Sequence, residues 1–351
     1  MENGGITWDS RTPYPAEAPV PQGLDCRIVH RADEDFPFLH DTMVARLSGR
    51  LFMAWYNCSE AEIVGKTVIR GRWSADGGET WSEPEIVVQA EESSLHCVPV
   101  TFLQHESGAY AYATVMRAHD RPVGLVCAKH EGDTWTPVAR YPEPVLFNTL
   151  PNSLPDGRLI AGGRMAELPG ELPLVPMVAI FEDKVPAKFR FIRLPGPWEH
   201  GEYPLAYPET ALLTDGAGIT AICRNDAGAP YVWRSADGEF WRGPFPAGLP
   251  IAPSKVCAGT LLDGRQYLIY NEKTEKQDRS RLVMAVRSAP DRAFDAVYLL
   301  RHGYDATLHA GPYWHYPCAC EADGVLYISC TSSHTSNIRH GALIRVPVSS
   351  I

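Results

Sequence analysis

The stretch HDTMVARLSGRLFMAWY, residues 40–56, reads as two apolar runs joined at Ser48-Gly49. Aromatic and β-branched residues suit strands, Ser starts a turn, and Gly supplies the positive φ of a tight hairpin. The same pattern returns as HCVPVTFLQHESGAYAYATVM from His96, LFNTLPNSLPDGRLIAGGR from Leu146, YPETALLTDGAGITAICR from Tyr207, PSKVCAGTLLDGRQYLIYN from Pro253 and HYPCACEADGVLYISCTS from His315. The turns of these copies are Ser107-Gly108, Asp156-Gly157, Asp215-Gly216, Asp263-Gly264 and Asp323-Gly324. Most hairpins are followed by a second strand-like pair, such as TVIRGRWSADGGETWSEPEIVV or YVWRSADGEFWRGPF, which makes four strands per unit. No run of helical period longer than two turns intervenes. The expected fold is all-β, a six-bladed β-propeller occupying residues 1–351 as one domain. Residues 1–39 are expected to give an outer strand that closes the ring against the final run GALIRVPV. A two-sheet sandwich would not require one hairpin to recur six times.

Composition narrows the partners. The chain has 351 residues, 45% of them hydrophobic, and a formal net charge of −10 with no basic run, which argues against a nucleic-acid partner. No apolar stretch approaches the roughly 18 residues of a membrane helix, and the start MENGGITWDS has neither a basic nor an apolar leader region. The nine cysteines are an odd number, form no CxxC pair and lie mostly in apolar runs, as Cys97, Cys127, Cys223, Cys257 and Cys330 do. Buried thiols of this kind suit a reducing cytoplasm, which is the expected compartment.

Two stretches carry a family signature. Ser74-Ala75-Asp76-Gly77-Gly78-Glu79-Thr80-Trp81 fits the Asp-box pattern S-x-D-G-G-x-T-W, and Ser235-Ala236-Asp237-Gly238-Glu239-Phe240-Trp241 is a decayed copy. The Asp carboxylate caps the N–H groups of a tight turn, Gly permits left-handed geometry, and Trp packs between sheets. Weaker echoes at Glu131-Gly132-Asp133-Thr134-Trp135 and Ser288-Ala289-Pro290-Asp291 fall at the same place in their units. With six units, these Asp-box turns resemble the sialidase (neuraminidase) superfamily from about residue 36 onward.

In a propeller, residues just upstream of each inner hairpin turn converge on the axis. Counting back from the turn glycines gives His40 with Asp41, His96, Asn148 or Asn152, Tyr207 with Glu209, Lys255, and His315 with Tyr316. The resemblance implies a Tyr nucleophile, a Glu that activates it and arginines that clamp a substrate carboxylate. Tyr316 resembles that Tyr, Glu209 the Glu, Arg224 one clamp, and Arg279 or Arg281 another; spacing does not choose between the last two. The chemistry agrees, because a phenol needs a carboxylate to take its proton and a carboxylate is best held by guanidinium forks. His40-Asp41 stands where the family has its first arginine, and the loop NCSEAEIVGKTV offers only Glu60 and Glu62 as carboxylates for the acid/base.

The first expectation is therefore an exo-acting glycosidase for a terminal acidic sugar on a small oligosaccharide. The second, suggested by His40, His96 and His315, is β-elimination at a uronic acid, as in rhamnosyl-glucuronate lyases and rhamnosidase-like propellers. A third is a non-catalytic glycan- or protein-binding propeller. Metal-ligand spacings such as HxH and HExxH do not occur, and neither a metal nor another cofactor is expected.

Overall fold

The computed structural model describes residues 6–154, 156–182, 187–216, 218–273, 278–334 and 338–351. These residues form six antiparallel sheets that follow one another around a ring. Blade 1 is β2 (Phe38–Leu47), β3 (Arg50–Cys58), β4 (Thr67–Ser74) and β5 (Glu85–Gln89); blade 2 is β6 (His96–His105), β7 (Gly108–Ala118), β8 (Arg121–Glu131) and β9 (Thr134–Tyr141). Blade 3 contains β10 (Val145–Phe147), β11 (Asn152–Ser153), β12 (Leu159–Met165), β13 (Val175–Phe181) and β14 (Phe189–Arg193). Its inner strand is interrupted around Leu150-Pro151, where proline has no N–H to give a ladder, so both pieces pair with β12. Blade 4 is β15 (Thr210–Asp215), β16 (Gly218–Cys223), β17 (Tyr231–Ser235) and β18 (Arg242–Pro246), and blade 5 is β19 (Cys257–Thr260), β20 (Gln266–Asn271), β21 (Arg281–Arg287) and β22 (Ala296–His302).

Blade 6 closes the ring. Its strands β23 (Tyr313–Ala322), β24 (Val325–Ser333) and β25 (Arg339–Pro347) come from the end of the chain, and β1 (Asp25–Arg31) completes it by pairing antiparallel with β25. Residues 6–24 run along blades 4 and 5 before β1, with Thr7 and Trp8 bridging Gly248 and Phe294 and Pro19 accepting from the Leu299 N–H.

Burial explains the sequence pattern. Second strands such as β3 are covered on both faces and read as continuous apolar runs, whereas outer strands such as β9 alternate. Apolar side chains gather in the wedges between adjacent blades. Phe52 and Trp73 of blade 1 meet Phe102 and Trp135 of blade 2, while Leu343 and Tyr327 of blade 6 meet Met53 and Trp55 of blade 1. Each such fully buried side chain stabilises the ring by roughly 1.5–3 kcal/mol, so no blade has a core of its own.

Three inner strands carry bulges at their axial ends. The register slips between His40 and Met43 in β2, between Cys97 and Val100 in β6, and between His315 and Cys318 in β23. Asp41 and Tyr316 sit in these bulges at φ 48° and 58°. A bulge re-aims side chains that regular pleating would send into the sheet.

Candidate active site

One end of the axis opens into a cavity of about 180 Å³. Tyr316 and Glu209 lie together in it. Arg224 Nη1 joins the two, donating to Glu209 Oε2 at 3.1 Å and to the Tyr316 oxygen at 3.3 Å. Glu209 immediately precedes β15, Arg224 follows β16, and their backbones pair across the hairpin, Arg224 N to Glu209 O at 3.0 Å. The other side of the Arg224 guanidinium binds Asp226 Oδ1, from Nε at 3.0 Å and Nη2 at 2.6 Å, and its face lies 4.6 Å from the Tyr207 ring centre.

Burial and Glu209 together push the Tyr316 phenol well above the ordinary tyrosine value. Burial also opposes charge on Glu209, yet Arg224, Arg164 and Lys255 outweigh it and hold the carboxyl below its usual value. The resting pair is therefore a neutral phenol against a carboxylate.

The remaining sequence candidates divide. Arg279 lines the cavity with its guanidinium 5.4 Å from the Tyr316 ring centre, whereas Arg281 pairs with Glu272 outside it. The two differ in placement because Arg279 precedes β21 and Arg281 is already its first paired residue. His40 lines the cavity, with Nδ1 3.1 Å from Thr331 Oγ1 and its ring 4.2 Å from that of Tyr316; Asp41 lines it too. Lys255 lies behind them, buried, with Nζ 2.5 Å from Asp41 Oδ1. Burial disfavours the ammonium, but contact with Asp41 outweighs it and raises the lysine pKa. His315 packs behind His40 and bonds Ser333, and His96 contacts Thr67. Neither is part of the cavity wall, nor are Asn148 and Asn152. Val98 and Pro99, in the β6 bulge, face the cavity where His96 was expected.

Five further polar side chains line the wall: Glu62, His119, Asp120, Arg164 and Arg339. Glu62, not Glu60, reaches in from the loop between β3 and β4, and Tyr56 donates to its Oε1 at 2.8 Å. His119 and Asp120 form the tight turn between β7 and β8, and Asp120 Oδ1 meets Arg164 Nη2 at 3.0 Å. Arg339 Nη2 lies 3.9 Å from Glu62 Oε2. One signal in the sequence pointed to Arg164. It lies near the end of the second strand of its hairpin, as Arg224 follows its own, and Tyr56 and Met116 hold like places in blades 1 and 2; all four line the cavity. His119-Asp120 has no counterpart in the repeat.

The constellation holds a buried phenol and a carboxylate on one arginine, several further cations, and no metal-ligand cluster among the described residues. Comparison with known proteins agrees with the architecture. The BNR repeat-like domain family matches residues 49–328. No curated protein sequence matches the chain. Among solved structures, a Trypanosoma rangeli sialidase in complex with 2,3-difluorosialic acid superposes with a TM-score of 0.71 at 12% identity, over 94% of this chain and 59% of that one. A Streptococcus pneumoniae sialidase gives 0.68 at 13%, over 96% and 71%. A Dyadobacter fermentans protein of unknown function gives 0.66 at 15%, over 92% and 99%. The chain spans about 60% of the length of the trypanosomal sialidases it matches. The fold is that of the sialidase superfamily.

Proposed function

The chain belongs to the BNR repeat-like domain family, and on that premise we propose that it is an exo-acting glycosidase that releases a terminal acidic sugar from a small oligosaccharide. The observation that carries this reading is Arg224 bridging the Tyr316 hydroxyl and the Glu209 carboxylate in the wall of an axial cavity. A phenol attacks an anomeric carbon poorly unless a carboxylate accepts its proton as the bond forms, and Glu209, held ionised and bound to the same arginine nitrogen as Tyr316, is placed to do so. The second half-reaction returns that proton to Tyr316 as water displaces the sugar. Arg224 steadies both partners through the transfer. Arg279 faces the cavity with no carboxylate partner among the described residues, which suits it to receive the substrate's anionic group. A cavity of about 180 Å³ is below the roughly 300–1,000 Å³ that encloses larger ligands, and suits one sugar ring entering end-on.

Mass spectrometry of products from a panel of sialylated and uronic-acid-terminated oligosaccharides tests the reading. Release of one sugar with one added water is expected, and Tyr316→Phe should abolish that release while still binding the substrate. Full activity in the variant overturns the nucleophile assignment. One observation favours a second reading, elimination at a uronic acid: His40 is kept neutral by burial, with its ring 4.2 Å from Tyr316, and is suited to take a proton. Fragments summing to the substrate mass, with new ultraviolet absorbance, would establish it instead.

A further inference from the structure

Cleavage of a glycosidic bond needs a proton for the departing oxygen as well as a nucleophile. The carboxylates in the cavity wall are poorly suited to supply it. Glu62 accepts from Tyr56 and faces both His119 and Arg339; burial opposes its charge, but these neighbours hold it below the ordinary glutamate value. Asp120 is gripped by Arg164 and His119, and Glu209 by Arg224; burial pushes the Asp41 carboxyl up, but Lys255 Nζ holds its Oδ1 at 2.5 Å on the side away from the mouth. Each is committed to a cation.

His119 differs. It sits at the tip of the β7–β8 turn, its side chain is 47% exposed at the mouth, and it lines the same cavity as Tyr316. Its Nδ1 lies 3.1 Å from Asp120 Oδ2, while Nε2 is 3.8 Å from Glu62 Oε1, beyond a direct hydrogen bond. One nitrogen is anchored and the other is free to turn its proton to a ligand. Asp120 supports the anchor from an unusual backbone, at φ 55°.

We propose that His119 is the general acid of this site, its Nε2–H protonating the departing oxygen while Asp120 orients the ring. The inference rests on the hydrolase reading above. As the bond from anomeric carbon to oxygen breaks, its electron pair stays on the oxygen and takes the His119 proton; Tyr316 forms the new bond and passes its own proton to Glu209. In the second step the neutral imidazole takes a proton from the attacking water, Glu209 returns its proton to Tyr316, and the tyrosine leaves. The neighbouring carboxylates of Asp120 and then Glu62 outweigh partial burial and raise the imidazole to about 9, so it carries the proton at neutral pH. The charged groups around it are Asp120 and Glu62, with Arg164 behind the first and Arg339 behind the second, and the Tyr207 ring edge-on at 6.2 Å.

The test is His119→Gln, assayed with sialyl and uronyl oligosaccharides and with the matching 4-methylumbelliferyl glycosides, whose acidic leaving group needs no proton. Loss of about 10²–10⁴-fold on the oligosaccharide, with less than about tenfold on the aryl glycoside, is expected. In the wild type kcat/KM should fall as pH rises through about 9; Asp120→Asn should move that limb to lower pH and His119→Gln remove it. Equal losses on both substrates, or an unchanged alkaline limb, overturn the acid assignment alone. A wild-type protein that cleaves neither substrate overturns the hydrolase reading and this one with it, so the two failures are distinguishable.

Discussion

Asp41 and Tyr316 adopt backbone angles that side-chain-bearing residues rarely hold, at a cost of about 1–3 kcal/mol each. Both face the cavity, and the strain is offset by contacts that fix their direction. For Asp41 the fixing contact is Lys255, buried at 1% exposure, which leaves a testable dependence. Lys255→Met should destabilise the protein by about 3–5 kcal/mol in urea unfolding, because it strands a buried carboxylate. The double variant Asp41→Asn with Lys255→Met should recover much of that loss, and a double variant no more stable than the single one would show that the pair is not the cause. Tyr316, Glu209 and Arg224 were legible in the sequence because each stands at a fixed place relative to its turn glycine. His119-Asp120 was not legible, since it lies on the opposite turn of its blade, where no repeat position marks function. His96 was misplaced by one feature: the bulge between Cys97 and Val100 gives the axial position to Val98 and Pro99.

The Asp-box turns act between blades. In the first, Asp76 Oδ1 accepts from the Thr80 N–H at 2.9 Å and from the Ser74 hydroxyl at 2.8 Å, which shapes the turn. The turn then leans on the preceding blade: Glu79 bonds Arg345 of β25 at 2.5 Å, and Gly78 packs so closely that an added Cβ would lie 2.7 Å from Leu343 Cδ2. The second box repeats this between blades 4 and 3. Glu239 bonds Arg158 at 3.0 Å and Arg190 at 2.8 Å, and Gly238 rests against Ile160 and Ile219. The motif was legible as a turn, whereas its inter-blade contact was not, because the partners lie 266 residues apart in one case and 49 in the other. Gly78→Ala should lower stability by about 1–3 kcal/mol through its φ of 87° and the clash with Leu343. No Asp-box residue lines the cavity, so kcat/KM should hold; a stability unchanged in thermal melts would remove the clamp role.

At the scale of the ring, one seam differs from the others. Blades 1 and 6 meet where the two ends of the propeller join, and three buried histidines and one half-buried one, His340, collect there. His30 of β1 stacks on Trp55 of blade 1 at 4.6 Å, His40 of blade 1 bonds Thr331 of blade 6, His315 packs on His40, and His340 accepts from the Ala32 N–H. Burial lowers all four, His30 and His340 to about 4, and His40 and His315 well below the ordinary histidine value. In the unfolded chain each titrates near 6.5, so below that pH the unfolded state binds more protons and stability must fall with pH. His119 is shifted the other way; its contribution is complete below 6.5 and is lost only as pH rises through about 9, so it does not offset the loss in acid. Each seam histidine contributes a slope of up to about 1.4 kcal/mol per pH unit below 6.5, until pH nears its folded value. Urea midpoints should therefore drop steeply between pH 7 and pH 5, before most carboxylates titrate, and hydrogen exchange should quicken first in β1, the strand that holds the ring shut. A flat stability profile over that range would mean that the seam histidines are not held neutral, and that ring closure is indifferent to acid.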